Sequence, residues 1–310
     1  MINGETVWNH NHFSGLLEMI MPLALGLAFY HWRKAHSRSA RRIFGMLGDP
    51  DAQKCFLLLV AATVMLVAIV FSISRMGMIS ALVSLGVIAA VLWAARRRSP
   101  FPAALAIVLL AAGVTTVSWL GVGPIVERFE QLPQNEPLAG ANAGRMALWR
   151  DAAKLVRAHP LAGACFGCFE YAFTRVQSTE LAYTIDHAHN DYLELAIELG
   201  LPGAALLFAA FFRIAFRTLQ ASLRAPSNLA RSLALGALGG ISALVAHSAA
   251  DFNLAVPANA LLFAAVLAMG YAASLEERAS AREKAPARAV RVAAAEPAEA
   301  AVPVSAAARG

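Results

Sequence analysis

The sequence predicts an all-α, polytopic membrane protein with about seven membrane-spanning helices and one large loop containing short amphipathic helices. Hydrophobic residues make up 58% of the chain and charged residues only 15%, whereas a soluble domain carries about 25% charged residues. Several apolar runs approach or exceed the roughly 18 residues that mark a membrane-spanning helix. In such a protein the formal charge of +6 reports orientation in the membrane, and we expect no nucleic-acid partner.

Each predicted span is long enough to cross about 30 Å of hydrocarbon as a helix. The spans cover residues 14–31, 55–73, 77–94, 102–121, 201–217, 233–249 and 256–273. They define a membrane domain at residues 1–275. After Ser274 the composition changes to Ala, Glu, Arg and Pro, which predicts a disordered tail at residues 276–310.

The basic residues are divided unevenly between the two sides of these spans. Of the 26 lysines and arginines, 19 fall in segments that share one side. Because basic residues are retained in the cytoplasm, that side is predicted to be cytoplasmic. The N-terminus and the long polar loop at about 123–200 are then outside the cytoplasm, and the C-terminus is inside. We expect the inner membrane of a Gram-negative cell.

Within the polar loop, residues 145–158 predict an amphipathic helix. Arg150, Lys154 and Arg157 share one stripe at 3.6 residues per turn, which is typical of a solvated face or one that attracts anionic lipid head groups. Arg145 lies on the opposite side with Trp149. An arginine on an apolar side needs an anionic partner, so Arg145 is a functional candidate.

A second short helix is predicted at the end of the loop. Asn190 or Asp191 followed by Glu194 resembles an N-cap with a capping box, and Gly200 ends the helix. His189 immediately precedes the cap and can accept a proton near neutral pH. A capping or interfacial role for His189 is the alternative interpretation. His187 lies further out in the loop, where we expect it to be freer.

Further polar candidates lie at the outer ends of the spans. Arg75 occupies a short turn between two spans, and a charge at such a depth indicates function by default, with snorkelling to the interface as the alternative. His247 and Asp251 form an i, i+4 pair if their helix continues, close to Asn253. These three are expected either to support the site or to pack.

Two cysteines, Cys165 and Cys168, lie in the extracytoplasmic loop, where disulfides persist, although a redox site is not expected. Zinc-ligand spacing, Walker loop, dinucleotide fingerprint and Gly-x-Ser-x-Gly are not found in the sequence. We therefore expect neither a metal nor a cofactor.

The pattern His189-Asn190, nine residues, then Gly200-Leu201-Pro202-Gly203 resembles the signature of the O-antigen ligase family. The wider stretch His187–Glu194 resembles the shared core of the O-antigen ligase and polymerase superfamily. Other matches follow in that superfamily's order: Asn9–Pro22, Ser74–Gly77, Gly144–Arg145 with Leu148–Trp149, His159–Leu161 with Gly163 and Gly167, and His247 with Asp251–Asn253 and Pro257.

The resemblance implies a membrane glycosyltransferase that takes a glycan from undecaprenyl pyrophosphate. The acceptor is a sugar hydroxyl, on lipid A-core for a ligase or on another repeat unit for a polymerase. His189 is implied to orient or deprotonate that hydroxyl, and Arg75 and Arg145 to hold the pyrophosphate, with inversion and without a metal. The other substrate-binding candidates at matched positions are His187, Asn190, Asp191, Tyr192, His247, Asp251 and Asn253.

Two alternatives stay open at this point. One is another superfamily member, such as an exopolysaccharide polymerase or a protein-glycosylating enzyme, whose site residues are the same. The other is a non-catalytic binder or transporter of lipid-linked glycans; a transporter needs polar residues at mid-membrane depth, which the predicted spans nearly lack. Superfamily members usually carry several helices before this region, so we expect the chain to be the C-terminal portion of a longer membrane domain.

Overall fold

The computed structural model describes residues 9–38, 48–95, 141–178 and 185–295. Within these ranges the chain forms eight α-helices and one short 3₁₀ helix, and no strand is present. The helices are α1 (His10–Arg38), α2 (Pro50–Phe71), α3 (Arg75–Ala94), α4 (Ala141–Ala158), α5 (Phe169–Phe173), α6 (Asp191–Arg224), α7 (Asn228–Ser248) and α8 (Pro257–Ala295), and the 3₁₀ helix Asn253–Ala255 precedes α8.

Six of these helices, α1, α2, α3, α6, α7 and α8, are long and apolar enough to cross a membrane. They coincide with six of the seven predicted spans, and the predicted span at 102–121 lies outside the described residues. The prediction of an all-α polytopic membrane protein is therefore confirmed.

Local sequence signals explain where several helices begin. Asp49 caps α2, and Pro50 occupies the first helical position, where its missing N–H costs nothing. Ser74 caps α3 by accepting a hydrogen bond from the backbone N–H of Gly77. Each cap satisfies a donor that the helix itself cannot pair.

Helix α7 lies at the centre of the bundle, in contact with α1, α3, α6 and α8. Its approach to α1 is backbone to backbone. A Cβ atom at Gly26 would overlap the carbonyl oxygen of Ser232, and one at Gly236 would lie 2.7 Å from the carbonyl oxygen of Pro22. Close packing through small residues is how helices associate where lipid removes the hydrophobic driving force.

Helix α2 lies at the periphery of the bundle and exposes large apolar side chains, including Phe56, Leu57 and Val64. Helix α3 likewise exposes Leu82 and Trp93. In a soluble protein such continuous exposure would be a liability, whereas in a bilayer these faces contact acyl chains. The outer surface of the described bundle thus fits a lipid environment.

The helix α6 joins the predicted interfacial helix to the span that follows it. Its one non-helical residue is Gly200, with φ 69° and ψ 170°, and the chain bends there. Pro202 then lies in the first turn of the second part, a position that tolerates its missing N–H. The sequence signals for a break at this point agree with the structure.

The last helix extends further than the sequence suggested. Helix α8 runs to Ala295, so the first part of the predicted disordered tail at 276–310 is helical. This segment has too few large apolar residues to form a hydrophobic core, but Ala, Glu and Arg are strong helix formers. Low hydrophobicity alone therefore did not predict the backbone conformation.

Candidate active site

Three histidine rings surround the ring of Phe252, which lies in the loop after α7. His187 stacks on it with ring centroids 4.4 Å apart and an interplanar angle of 17°. His189 and His12 contact it edge-on, at 4.8 Å and 4.6 Å. The contacts bring together the start of α1, the segment before α6 and the loop after α7. The sequence reasoning did not single out His12 or Phe252.

Glu194 binds the segment that carries the histidines. One carboxylate oxygen lies 2.7 Å from Nδ1 of His187, and the other accepts a hydrogen bond from the backbone N–H of Ala188 at 2.8 Å. Asn190 is the N-cap and accepts from the N–H of Leu193, as predicted. The predicted capping box is wrong, because Glu194 lies one residue beyond the box position and reaches upstream instead.

His187 is held tightly, which contradicts the expectation that it is freer than His189. Burial by itself would lower the pKa of His187, but the hydrogen bond and negative charge of Glu194 outweigh burial and raise that pKa above its ordinary value. A short carboxylate contact and a stacked ring fix the imidazole on two sides. His187 lies before the helix, but it is held in place because the side chain of Glu194, in the first turn of α6, reaches back to its ring.

His189 has a different environment. Its backbone lies in the left-handed region with φ 48°, an uncommon conformation for a residue other than glycine. Its Nδ1 faces an oxygen of Asp251 at 3.4 Å, and its side chain keeps 35% of its surface exposed. A strained backbone at a solvent-accessible imidazole is a feature that clusters at functional sites.

Asp251 is the carboxylate that connects His189 to the bundle. Besides His189, one of its oxygens accepts from the N–H of Phe252 at 2.9 Å, and the other lies 3.8 Å from Nε2 of His247. Burial by itself would raise the pKa of Asp251, but the hydrogen bond from His189 and the nearby charge of His247 hold that pKa well below its usual range. Asp251 is therefore a carboxylate at neutral pH.

The predicted i, i+4 pair of His247 and Asp251 is present, although α7 ends at Ser248. The sequence reasoning missed the next partner. Glu18 of α1 lies 2.9 Å from Nδ1 of His247, and both side chains are fully buried. The available signal was a carboxylate inside a predicted span, which indicates function by default.

Two predicted substrate-binding residues join helices in the structure. One oxygen of Asp191 accepts hydrogen bonds from the hydroxyl of Ser248 at 2.6 Å and from the N–H of Leu254 at 3.3 Å. The hydroxyl of Tyr192 donates to the carbonyl oxygen of Val245 at 2.6 Å. Both residues dock the start of α6 onto the end of α7, so the structure gives them an anchoring role beside the histidines.

Asn253 is buried and takes part in a similar joint. Its side-chain oxygen accepts from the amide of Asn259 at 2.8 Å, and the same amide lies 3.1 Å from the carbonyl oxygen of His12. Gly15 packs directly on the Asn253 side chain, where a Cβ atom would overlap it. The first turn of α1 is thereby fixed against the start of α8.

Arg145 lies one turn before Trp149, whose indole N–H donates to the carbonyl oxygen of Ala188 at 2.9 Å. Residues four apart share a helix face, so the face of α4 that carries Arg145 is the one turned toward the histidine segment. Arg145 is half-buried. The stripe of Arg150, Lys154 and Arg157 is exposed, as the helical-face prediction required.

Arg75 is the first residue of α3, directly after the cap Ser74. The Ser74 hydroxyl donates to the side-chain oxygen of Asn11 at 2.8 Å, and Asn11 adjoins His12 in α1. Arg75 is half-buried. Each candidate arginine is thus close in sequence to a residue that contacts the histidine region. For Arg145 that residue is Trp149, which contacts Ala188, and for Arg75 it is Ser74, which contacts Asn11 beside His12.

The loop after α4 packs on the bend of α6. Gly163 and Gly200 both have positive φ, and a Cβ atom on either would overlap a backbone carbonyl of the other segment. The N–H of Leu201 donates to the carbonyl oxygen of Pro160 at 2.8 Å. Only glycine fits this contact. In the same loop Cys165 and Cys168 are joined by a disulfide.

Two neighbouring cavities lie beside the start of α6, and His187 of the histidine segment lines one of them. A polar cavity of about 420 Å³ has an acidic lining, and an apolar cavity of about 310 Å³ lies between α6, α7 and α8. Leu195 and Leu254 line both. The titratable side chains of the polar cavity are Glu170, Asp186, His187, Asp191, Glu194 and Glu198. In the described part of the chain, no group of three or more potential ligands has the arrangement of a metal site.

A protein-family model described as O-antigen ligase matches residues 60–208. The matched range contains Arg75, Arg145, His187 and His189, together with the first part of α6. No curated protein matches the chain. The family match bears out the resemblance that the sequence motifs indicated: residues 60–208 of this membrane protein are similar to the O-antigen ligase family.

Proposed function

We propose that this protein transfers a glycan from an undecaprenyl-pyrophosphate donor to a sugar hydroxyl at the outer face of the inner membrane. The observation that carries the proposal is the pairing of the partly exposed His189 with the buried Asp251. An ionised carboxylate is only an acceptor, so it fixes the tautomer in which Nδ1 of His189 bears the proton. The lone pair of Nε2 is then free for a substrate.

In the proposed reaction Nε2 of His189 takes the proton of the acceptor hydroxyl. The hydroxyl oxygen attacks the anomeric carbon, the bond from that carbon to the pyrophosphate oxygen breaks, and its electron pair leaves with the lipid pyrophosphate. Direct attack inverts the anomeric centre. Asp251 stabilises the imidazolium that forms, as the carboxylate of a catalytic triad does. The 3.4 Å separation suits a substrate-free site, whose hydrogen bonds tighten when the substrate binds.

Arg75 and Arg145 are proposed to bind the pyrophosphate. A guanidinium matches phosphate oxygens in a bidentate way and stays charged at any physiological pH. Two such groups stabilise the charge that develops on the leaving group, so the step requires no metal. Their positions support this assignment, because Arg145 lies one turn from Trp149, which contacts the histidine segment, and Arg75 follows Ser74, which contacts Asn11 beside His12.

The adjoining cavities support an amphipathic donor. The acidic lining of the polar cavity disfavours a pyrophosphate there and favours sugar hydroxyls, which donate hydrogen bonds to carboxylates. The apolar cavity between α6, α7 and α8 suits part of a polyprenyl chain. The glycan acceptor, either lipid A-core or another repeat unit, then approaches from the aqueous side.

The polar cluster also supports the proposed orientation. The starts of α1, α3, α6 and α8 and the end of α7 all meet at this end of the bundle. With the basic-residue asymmetry, this end faces the periplasm, the N-terminus lies outside and the C-terminus is cytoplasmic. An exported lipid-linked glycan is available only on that side.

The test is transfer in proteoliposomes that contain the full chain, with any upstream helices of its gene, and a defined undecaprenyl-pyrophosphate glycan. Lipid A-core and a free repeat-unit acceptor are offered separately. We expect an inverted glycosidic product with one acceptor, in the presence of EDTA. Donor binding without product from either acceptor would contradict the proposal and indicate a lipid-glycan binder.

A further inference from the structure

We propose that Glu18 is a positioning residue for glycosyl transfer and acts on His189 through His247 and Asp251. The inference rests on the proposed function, in which His189 is the base. It adds a buried residue of the membrane-crossing helix α1 to a site whose proposed base is partly exposed.

The geometry is a continuous series of charged and imidazole groups. Glu18 lies 2.9 Å from Nδ1 of His247, Nε2 of His247 lies 3.8 Å from Asp251, and the other oxygen of Asp251 lies 3.4 Å from His189. The side chains of Glu18 and His247 have no exposed surface, and that of Asp251 has 1%. An ionisable pair buried in a membrane helix is costly, and such pairs mark functional sites.

The two neighbouring carboxylates determine the charge of the middle group. Glu18 lies within hydrogen-bonding distance of Nδ1 of His247, and Asp251 lies 3.8 Å from Nε2, which is an ion-pair distance beyond hydrogen bonding. Negative charge on both sides of a ring with no exposed surface stabilises the imidazolium. Glu18 supplies the counter-charge that makes a buried imidazolium tolerable.

The resulting balance of charge bears on His189. With Glu18 and Asp251 ionised and His247 protonated, the three buried groups carry one net negative charge. That charge becomes balanced when His189 takes the acceptor proton. The protein thus holds compensating charge in place before the reaction, which is the basis of electrostatic preorganisation.

Other titratable groups face the same series. His12 of α1 and His187 contact Phe252 beside His189. Asp191 and Glu194 of α6 lie next to Asp251 and His187 respectively. Each is unchanged in a Glu18 variant, so a shift in the pH profile of that variant is attributable to the loss of the Glu18 charge.

Replacing Glu18 with the isosteric glutamine makes a directional prediction. The variant leaves His247 with the more distant Asp251, 3.8 Å away, as its counter-charge and so destabilises the buried imidazolium. When His247 loses its proton, Asp251 has only His189 to compensate it. The protonated form of His189 gains stability, so the acid limb of the pH–rate profile moves to higher pH, by about one unit. Asp251→Asn removes the carboxylate itself, and its residual activity should move the limb the opposite way.

The experiment measures kcat against pH for the wild type, Glu18→Gln and Asp251→Asn in proteoliposomes. The matched control is Asp51→Asn, which breaks another carboxylate–histidine pair: the buried Asp51 of α2 lies 2.8 Å from the half-buried His31 of α1, at the other end of the bundle. The control should lower thermal stability and leave the limb in place. If Glu18→Gln does not accumulate, the double variant Glu18→Gln/His247→Gln removes both charges and should show the same displacement.

An acid limb that stays in place in Glu18→Gln, or in the double variant, overturns the inference while the proposed function stands. A displacement of equal size in Asp51→Asn overturns it too, because a general loss of stability then explains the effect. A wild-type protein that transfers no glycan refutes the proposed function, and the inference falls with it.

Discussion

His187 and His189, only two residues apart, lie in regions of different construction. The carboxylate that holds His187 also binds the backbone N–H of Ala188 and belongs to the first turn of the same helix. The carboxylate that faces His189 continues into a buried series that ends at Glu18 in α1. The contacts of His187 thus join residues that are close in sequence, whereas those of His189 connect distant parts of the bundle.

The difference indicates which imidazole is suited to proton transfer. His187 is fixed by a 2.7 Å contact and by stacking on Phe252. His189 has a longer contact, greater exposure and a left-handed backbone. The tighter contacts of His187 suit a structural role, and the partial exposure of His189 beside an orienting carboxylate supports the proposal that His189 acts on the substrate.

The largest expected effect comes from removing one histidine at a time. His189→Ala should lower transfer by roughly 10²–10⁴-fold, the usual contribution of a positioned acid–base group, with normal accumulation in the membrane. His187→Ala should cost less activity. Transfer from a purified polyprenyl-pyrophosphate donor, with protein level measured in parallel, provides the test. A dead His187 variant beside an active His189 variant would reverse the assignment.

A comparable but smaller effect is expected on α4. Arg145→Lys should lose most activity, because lysine supplies only a point charge where a planar bidentate group is needed. The loss corresponds to about 2.7–4 kcal/mol of transition-state stabilisation. Lys154→Ala, on the exposed stripe, is the control and should change little. Similar rates for both variants would show that the buried face of α4 does not contact the donor.

The contact between His187 and Glu194 predicts that the stability of the protein depends on pH. The folded-state pKa of His187 is raised, so its pairing with Glu194 stabilises the protein fully below the ordinary value of about 6.5, and this contribution is lost as the pH rises through the raised pKa. The difference in thermal midpoint between wild type and His187→Gln should therefore be larger at acidic than at alkaline pH. Measurement of unfolding in detergent tests this, and a difference that grows with pH would contradict it.

The smallest effect on activity is expected from a cysteine substitution that reports on which side of the membrane the loop with both histidines lies. A cysteine placed at Gln177, in the loop that follows α5, should react with an impermeant maleimide in cells with a permeable outer membrane. The native Cys165 and Cys168 are joined in a disulfide and should not react with the maleimide. The protein without the added cysteine therefore serves as the background control. Labelling only after lysis of the inner membrane would place both histidines in the cytoplasm.

Local signals predicted the parts of the site that depend on short stretches of sequence. The cap at Asn190, the break at Gly200 and the buried face of α4 all follow from helix periodicity and backbone preferences. Glu194 was misassigned by one position because capping motifs tolerate neither insertion nor shift. Glu18 escaped notice as a partner because 229 residues separate it from His247. Such a contact depends on how α1 packs on α7, which no local pattern encodes.

Trp149 provides a way to observe substrate binding to the protein in real time. Its indole N–H binds the carbonyl of Ala188, between the two histidines, so the emission of this chromophore depends on the position of that segment. The chain has five tryptophans, so the difference spectrum between wild type and Trp149→Phe isolates its fluorescence. Stopped-flow mixing with donor or acceptor would then time each substrate's arrival without any attached dye.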